Sequence, residues 1–168
     1  YKEARVISGG KSVPGVAGGI CQVSTTLYNA VLRAGLEIVE RHPHSQPVDY
    51  VPPGFDATIS EESGLDLRFK NQLDVPVTIS ARTEGPRLTV EVKAGLLAKR
   101  QVEVTREVLN VERPRLMAGG NSENEKISAG KPGIRVAVWR TIDTGGTVVR
   151  ELISEDYYKP IHAVAYTP

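Results

Sequence analysis

Cys21 is the one cysteine of the chain, and two of its three histidines, His42 and His44, follow in the polar stretch RHPHSQPVDY, with Asp56 beyond them in VPPGFDATIS. A thiol, an imidazole and a carboxylate within about 35 residues supply a nucleophile, a base and an orienting group. Pro43 forces extended backbone at His42. Residues two apart on an extended segment point the same way, so His42 and His44 can face one pocket, or one can react while the other packs. Each residue alone has a plainer reading: a buried cysteine, solvated loop histidines and an aspartate that caps a turn. Zinc on Cys21, His42 and His44 is the weaker option because no established ligand spacing supports it. Neither a metal nor a cofactor is called for.

The stretch GGICQVSTTLYNAVLRAG must position the thiol. Apolar residues at Ile20, Val23, Leu27, Ala30, Val31 and Ala34 recur at three and four, which predicts a helix burying that stripe. Gly35 closes it in the left-handed conformation. Gly18 and Gly19 allow a tight turn in front, so Cys21 falls in the first turn. Backbone N–H groups there lack intrahelical partners, and the helix dipole makes a thiol more acidic than its usual pKa of about 8.5. Cys21 lies off the apolar stripe, on a face shared with Thr25 and Tyr28.

Around the helix the pattern is mostly strand. Ala4 to Ser8 is a short strand ending at the turn Gly9–Gly10, KSVPGVA is a link, and Leu36 to Glu40 delivers the histidine cluster. LDLRFK, VPVTISAR and PRLTVEVKA alternate apolar and polar residues and predict a three-stranded antiparallel meander on which the helix packs. Beyond Ala98 come QVEVTREVLNVERPR, the polar loop MAGGNSENEKISAGKPG, and RVAVWRTI, TVVRELISE and IHAVAYTP, a second, all-β unit with no cluster of titratable groups. Trp139 and tyrosines 157, 158 and 166 there are an aromatic platform or core. The expected fold class is therefore α+β, one main helix on an antiparallel sheet in domain 1–98, then a small all-β domain over 99–168.

Composition narrows the function. With 168 residues the chain can bury a core, and 21 basic against 20 acidic residues leave a net charge of +1. Neither half carries the basic excess that a nucleic-acid backbone requires. One cysteine excludes an internal disulfide. No apolar run reaches membrane-spanning length. The chain opens without an initiator methionine, which suggests a fragment whose targeting or anchoring segment lies upstream.

The run GGICQVSTTLYNAVLRAGLEIVERHPHSQPVDYVPPGFDATIS, continued by LDLRFKNQLDVPVTISA, closely resembles the central motif of the VanW family over roughly residues 1 to 95. It departs from that motif in reading AGG where the family has a glycine triplet, and in lacking the opening strand. The remainder resembles a G5-type module, a thin β-rich domain found beside cell-wall enzymes. The resemblance implies an extracellular, wall- or membrane-anchored protein of a Gram-positive-type bacterium. Its implied partners are peptidoglycan stem peptides, and its implied chemistry is L,D-transpeptidation through a cysteine. The family cysteine matches Cys21, its histidine His44 and its acid Asp56. Gly19, Gln22, Ser24, Thr25, Arg41 and His42 are the expected substrate contacts. A wall cysteine peptidase or amidase, and a non-catalytic wall-binding module linked to glycopeptide resistance, are the alternatives.

Overall fold

The computed structural model describes residues 3–8, 11–16, 18–95, 100–119 and 130–166. The expected turn at 9 and 10 and the centre of the polar loop at 120–129 lie outside the described residues. In chain order the elements are β1 (Glu3–Ser8), β2 (Lys11–Val16), α1 (Ile20–Arg33), β3 (Glu37–Glu40), β4 (Arg68–Lys70), β5 (Val77–Glu84) and β6 (Arg87–Ala94). Then come β7 (Gln101–Glu112), β8 (Leu116–Gly119), β9 (Gly133–Asp143), β10 (Val148–Tyr158) and β11 (Ala163–Tyr166).

The α+β expectation is overturned. Among the described residues about half are strand, 11% are helical, and there is one helix. The predicted meander does not form, because β4 pairs back with β3, placing Ile38 opposite Phe69, instead of with β5. Strands β5 and β6 make a separate hairpin, with Val77 opposite Ala94 and Glu84 opposite Arg87. The largest sheet is the C-terminal one, in the order β10-β9-β7, antiparallel throughout. The segment KSVPGVA, expected as a link, is strand β2 in antiparallel pairing with β1. Alternation tells a strand which face to bury, not which neighbour to take.

No single sheet face covers the helix. Tyr28 and Leu32 are fully buried with Ala57 and Val138, and Ile38, Phe55, Leu67, Val104 and Ile153 pack around them, drawn from loops and from several strands. The buried face shares Val31 with the predicted stripe but is otherwise a different one. It carries Ser24, Thr25, Tyr28, Val31 and Leu32, while Val23 of the expected stripe is 52% exposed. The reason is the 54–58 loop lying over that face. Ser24 Oγ donates to Ala57 O at 2.6 Å, and Ala57 N–H donates to Thr25 Oγ1 at 2.9 Å. Hydroxyls with backbone partners can be buried without the cost of an unpaired polar group.

The C-terminal sheet is fastened to the other end of α1. Gly35 ends the helix with φ 72°, and Leu36 N–H returns to Val31 O at 3.1 Å. Arg140 Nη1 of β9 donates to Leu36 O at 2.6 Å and to Leu32 O at 3.3 Å, and Arg100 Nη2 donates to Ala34 O at 3.1 Å. These guanidinium groups give donors to Ala34 O and Leu36 O just past the helix, add a second donor to Leu32 O beside Gly35 N–H, and oppose the negative end of the helix dipole.

Candidate functional site

At the start of α1, Gly19 occupies the N-cap with φ 92°, a conformation that L side chains rarely adopt. Its carbonyl accepts from Gln22 N–H at 3.0 Å and Val23 N–H at 3.2 Å. No side chain caps this end and no acidic residue lies in the first turn, so Cys21 meets the positive helix end without a competing anion. Cys21 is half-buried, and its thiol lies 3.7 Å from Ile59 O.

Opposite it stands a loop that leaves β3 at Arg41 and returns at Thr58, its two limbs joined where Thr58 N–H donates to His42 O at 2.8 Å. That bridge sets His44 against Asp56. The His44 backbone N–H donates to Asp56 Oδ2 at 2.7 Å, and His44 Nδ1 lies 2.6 Å from the same oxygen. With Nδ1 committed to the carboxylate, His44 lies near enough to Cys21 for each to shift the other's pKa, the thiol down and the imidazole up. Tyr50 packs edge-on to the imidazole, with ring centroids 6.3 Å apart.

The second oxygen of Asp56 is held from two further directions. Arg41 Nη2 donates to Oδ1 at 2.9 Å, and the Tyr158 hydroxyl donates to it as well. Arg41 also donates from Nε to Asp56 O at 2.6 Å and from Nη1 to Asp156 Oδ2 at 2.5 Å. Asp56 and Tyr158 are both fully buried. Tyr158 fits because Gly54, φ 95°, brings its N–H within 2.7 Å of the phenol oxygen. A Cβ at Gly54 would stand 2.7 Å from Val138 Cγ2.

The electrostatics follow from these contacts. The neighbouring His44 imidazole holds the Cys21 thiol below its ordinary value, against the upward push of burial. Burial disfavours a charged His44, but the hydrogen bond to Asp56 and the nearby Cys21 outweigh it and raise its pKa to about 9. Burial likewise works against the Asp56 carboxylate, and its donors His44, Tyr158 and Arg41 more than compensate, lowering its pKa. All three shifts run toward a thiolate facing an imidazolium backed by a carboxylate.

The structure brings Cys21, His44 and Asp56 together. His42 points elsewhere: its Nε2 lies 3.0 Å from Glu40 Oε1 and the side chain is 38% exposed, so the three-ligand zinc arrangement does not assemble. Gln22 is exposed beside Gly19 at the mouth of the site. Ser24 and Thr25 are buried on Ala57, and Arg41, its side chain 3% exposed, is spent on Asp56 and Asp156. Sequence reasoning missed Asp156 and Tyr158. They alternate on β10, pointing inward while Tyr157 between them is exposed and donates to Glu112 at 2.7 Å. That alternation was the one available signal, and nothing in it names Asp56 as the target.

A groove of about 490 Å³ runs beside the start of α1, lined by Gly19, Gln22, Val23, Tyr50 and, from the β5–β6 hairpin, Pro86 and Leu88. No ionisable acid or base other than Tyr50 lines it. Among the described residues, no helix is long and apolar enough to cross a membrane.

No solved structure matches this chain. An uncharacterized protein, YoaR of Bacillus subtilis strain 168, is 52% identical over 90 residues, which cover 54% of this chain and 29% of YoaR. The vancomycin B-type resistance protein VanW of Enterococcus faecalis strain ATCC 700802 / V583 is 30% identical over 99 residues, 56% of this chain and 36% of that protein. The chain thus spans about a third of the length of these curated relatives. The family model described as VanW like protein matches residues 1–93, a segment holding Cys21, His44 and Asp56, and the chain belongs to that family.

Proposed function

We propose that this protein is a cysteine-dependent acyltransferase of the bacterial cell wall, an L,D-transpeptidase that joins peptidoglycan stem peptides. The observation that carries the reading is the His44–Asp56 hydrogen-bonded pair set beside Cys21 at the start of α1, with the thiol lowered and the imidazole raised. A nucleophile paired with a base that a third group orients is the arrangement acyl transfer requires.

In this mechanism Cys21 Sγ attacks the carbonyl of the third stem residue. His44 gives its proton to the departing amine of the terminal D-alanine, leaving a thioester. The side-chain amine of a second stem's diamino acid attacks the thioester. Neutral His44 takes the proton from that amine, the new amide forms and the Cys21 thiolate is restored with imidazolium beside it. Gly19 O already occupies the N–H groups of Gln22 and Val23, so the oxyanion falls to the Cys21 N–H and the exposed Gln22 amide. The groove, lined by uncharged side chains, suits an uncharged stretch of the donor peptide.

The wall setting rests on the family. The name of the Enterococcus faecalis relative ties that protein to vancomycin resistance, and we carry that link here together with an extracellular location. Residues 99–168 we read as a G5-like, wall-associated segment.

Incubation with purified tetrapeptide muropeptides, followed by mass spectrometry, tests the reading. Cross-linked dimers that have lost one alanine are expected. Trimmed monomers without dimers point to a peptidase or amidase, with water as acceptor. No change in the substrate, together with a Cys21 that reacts only near pH 9, overturns the enzyme reading and leaves a binding module.

A further inference from the structure

We infer that Tyr158 is a positioning residue of this site, seconded by Asp156 acting through Arg41, so that strand β10 completes the constellation that residues 1–93 begin. The inference rests on the reading of Cys21 and His44 as the reacting pair.

The Asp56 carboxylate has room for about four donors, and all four are present. Oδ2 receives the His44 backbone N–H and Nδ1, and Oδ1 receives Arg41 Nη2 and the Tyr158 hydroxyl. The phenol has one proton, and its direction is set from outside. Gly54 N–H donates to the phenol oxygen at 2.7 Å, so the oxygen serves as acceptor there and its proton goes to Asp56. Arg41 could swing toward either of its acids, but Asp156 Oδ2 holds Nη1 at 2.5 Å while Ser154 Oγ donates to that same oxygen at 3.1 Å. The guanidinium is thereby clamped between two acids and lies over the Tyr28 ring, 5.1 Å from its centroid.

Tyr158 touches neither Cys21 nor a substrate, so its effect passes through Asp56. A carboxylate that loses one of four donors in a buried site holds its charge less well. With Arg41 and His44 still in place it stays ionised, presents more negative charge to the imidazolium and, beyond it, to the thiol, and both groups hold their protons to higher pH. Tyr158 and Asp156 both lie outside the segment that defines the family. A chain of this family with a different C-terminal segment has to supply the donor to Asp56 and the acceptor for Arg41 from elsewhere.

The test uses the full chain as wild type, Tyr158→Phe, Asp156→Asn and, as control, Tyr157→Phe. Two quantities are read: the rate of Cys21 alkylation by iodoacetamide against pH, and the titration of the His44 ring by nitrogen-detected NMR. Tyr158→Phe is expected to move both the alkylation midpoint and the His44 midpoint up, by about one pH unit at most. Asp156→Asn, which removes a negative charge beside Arg41, moves both down by less, and Tyr157→Phe leaves both in place. Wild-type and Tyr158→Phe profiles that superpose, with the wild-type midpoint well below 9, overturn the inference and leave the Cys21–His44 reading intact. A wild-type midpoint near 9 overturns that reading instead. If Tyr158→Phe does not fold, Asp156→Asn carries the test by the same two titrations: displaced midpoints support the inference and superposed ones overturn it.

Discussion

The two ends of α1 pose the same physical problem and receive opposite solutions. Each end of a helix leaves backbone groups unpaired and carries about half an elementary charge. The C-terminal end is well supplied with partners: Gly35 turns the chain, Arg33 lies in the last turn, and Arg100 and Arg140 donate to the carbonyls of Ala34, Leu32 and Leu36. At the N-terminal end no acidic residue and no side-chain cap answer the positive pole. What stands there is a half-buried sulfur facing an imidazole. One end has been spent on stability, and the other holds back its electrostatics for an atom that can react.

The widest gap between the ends is expected from Cys21→Ala. It should reduce muropeptide dimer formation by on the order of 10⁴-fold or more, since without the sulfur no thioester forms. The melting temperature should barely move, because no capping group or core contact is lost. A large loss of stability in Cys21→Ala would mean that this end is as structural as the other.

Arg140→Met reverses the pattern. Arg140 is buried, donates to Leu32 O and Leu36 O and reaches Glu151 from Nε at 2.8 Å. Leaving Leu36 O without a donor and Leu32 O with Gly35 N–H alone should cost about 1 to 3 kcal/mol in urea unfolding. The pH profile of Cys21 alkylation should stay as in wild type. A shifted profile would show that the two ends are coupled along the helix.

His44→Asn sharpens the contrast within the reactive end. Because His44 lowers the Cys21 pKa and itself titrates at about 9, wild-type alkylation near neutrality should be faster than that of an ordinary thiol, and its profile should change again near pH 9, where the imidazolium loses its proton. In His44→Asn the thiol loses its cationic partner, so its midpoint rises toward 9.0 and the rate at pH 7 falls, by about tenfold for each unit of that rise. Stopped-flow alkylation across pH 5 to 10 reads this directly. An unchanged profile would assign the low thiol pKa to the helix dipole alone.

How much of this was visible in the chain depends on range. The helix from Ile20 and its stop at Gly35 were legible, because a three-and-four period and a glycine in the left-handed conformation are local physics. Which face it buries was not. Ser24 and Thr25 look like solvent residues until Ala57 of a distant loop supplies their partners. Strand β2 was hidden by Pro14 and Gly15, which a two-stranded ribbon tolerates at its open edge. The meander failed because Leu65, Leu67 and Phe69 announce a buried face but say nothing of pairing with β3. Cys21, His44 and Asp56 were named from residue types and resemblance, and the structure brings them together. Asp156 and Tyr158 reach Arg41 and Asp56 across 115 and 102 positions of sequence, and no local pattern encodes so long a reach.

The smallest expected effect belongs to His42, and it separates two residues that the sequence could not. Continuous strand geometry would set His42 and His44 on one side. Pro43 has no N–H with which to extend the pairing that Thr58 makes at His42, and the next N–H, that of His44, goes to the Asp56 carboxylate instead. The chain leaves the strand at that point, and the two rings take different acids, Glu40 at the surface and Asp56 inside. His42→Gln should therefore change Cys21 alkylation by less than about twofold and stability by less than about 0.5 kcal/mol, the scale of an exposed ion pair. A fall in alkylation comparable to that of His44→Asn would mean that the two imidazoles exchange places in solution, and that the proton reaches Cys21 from either one.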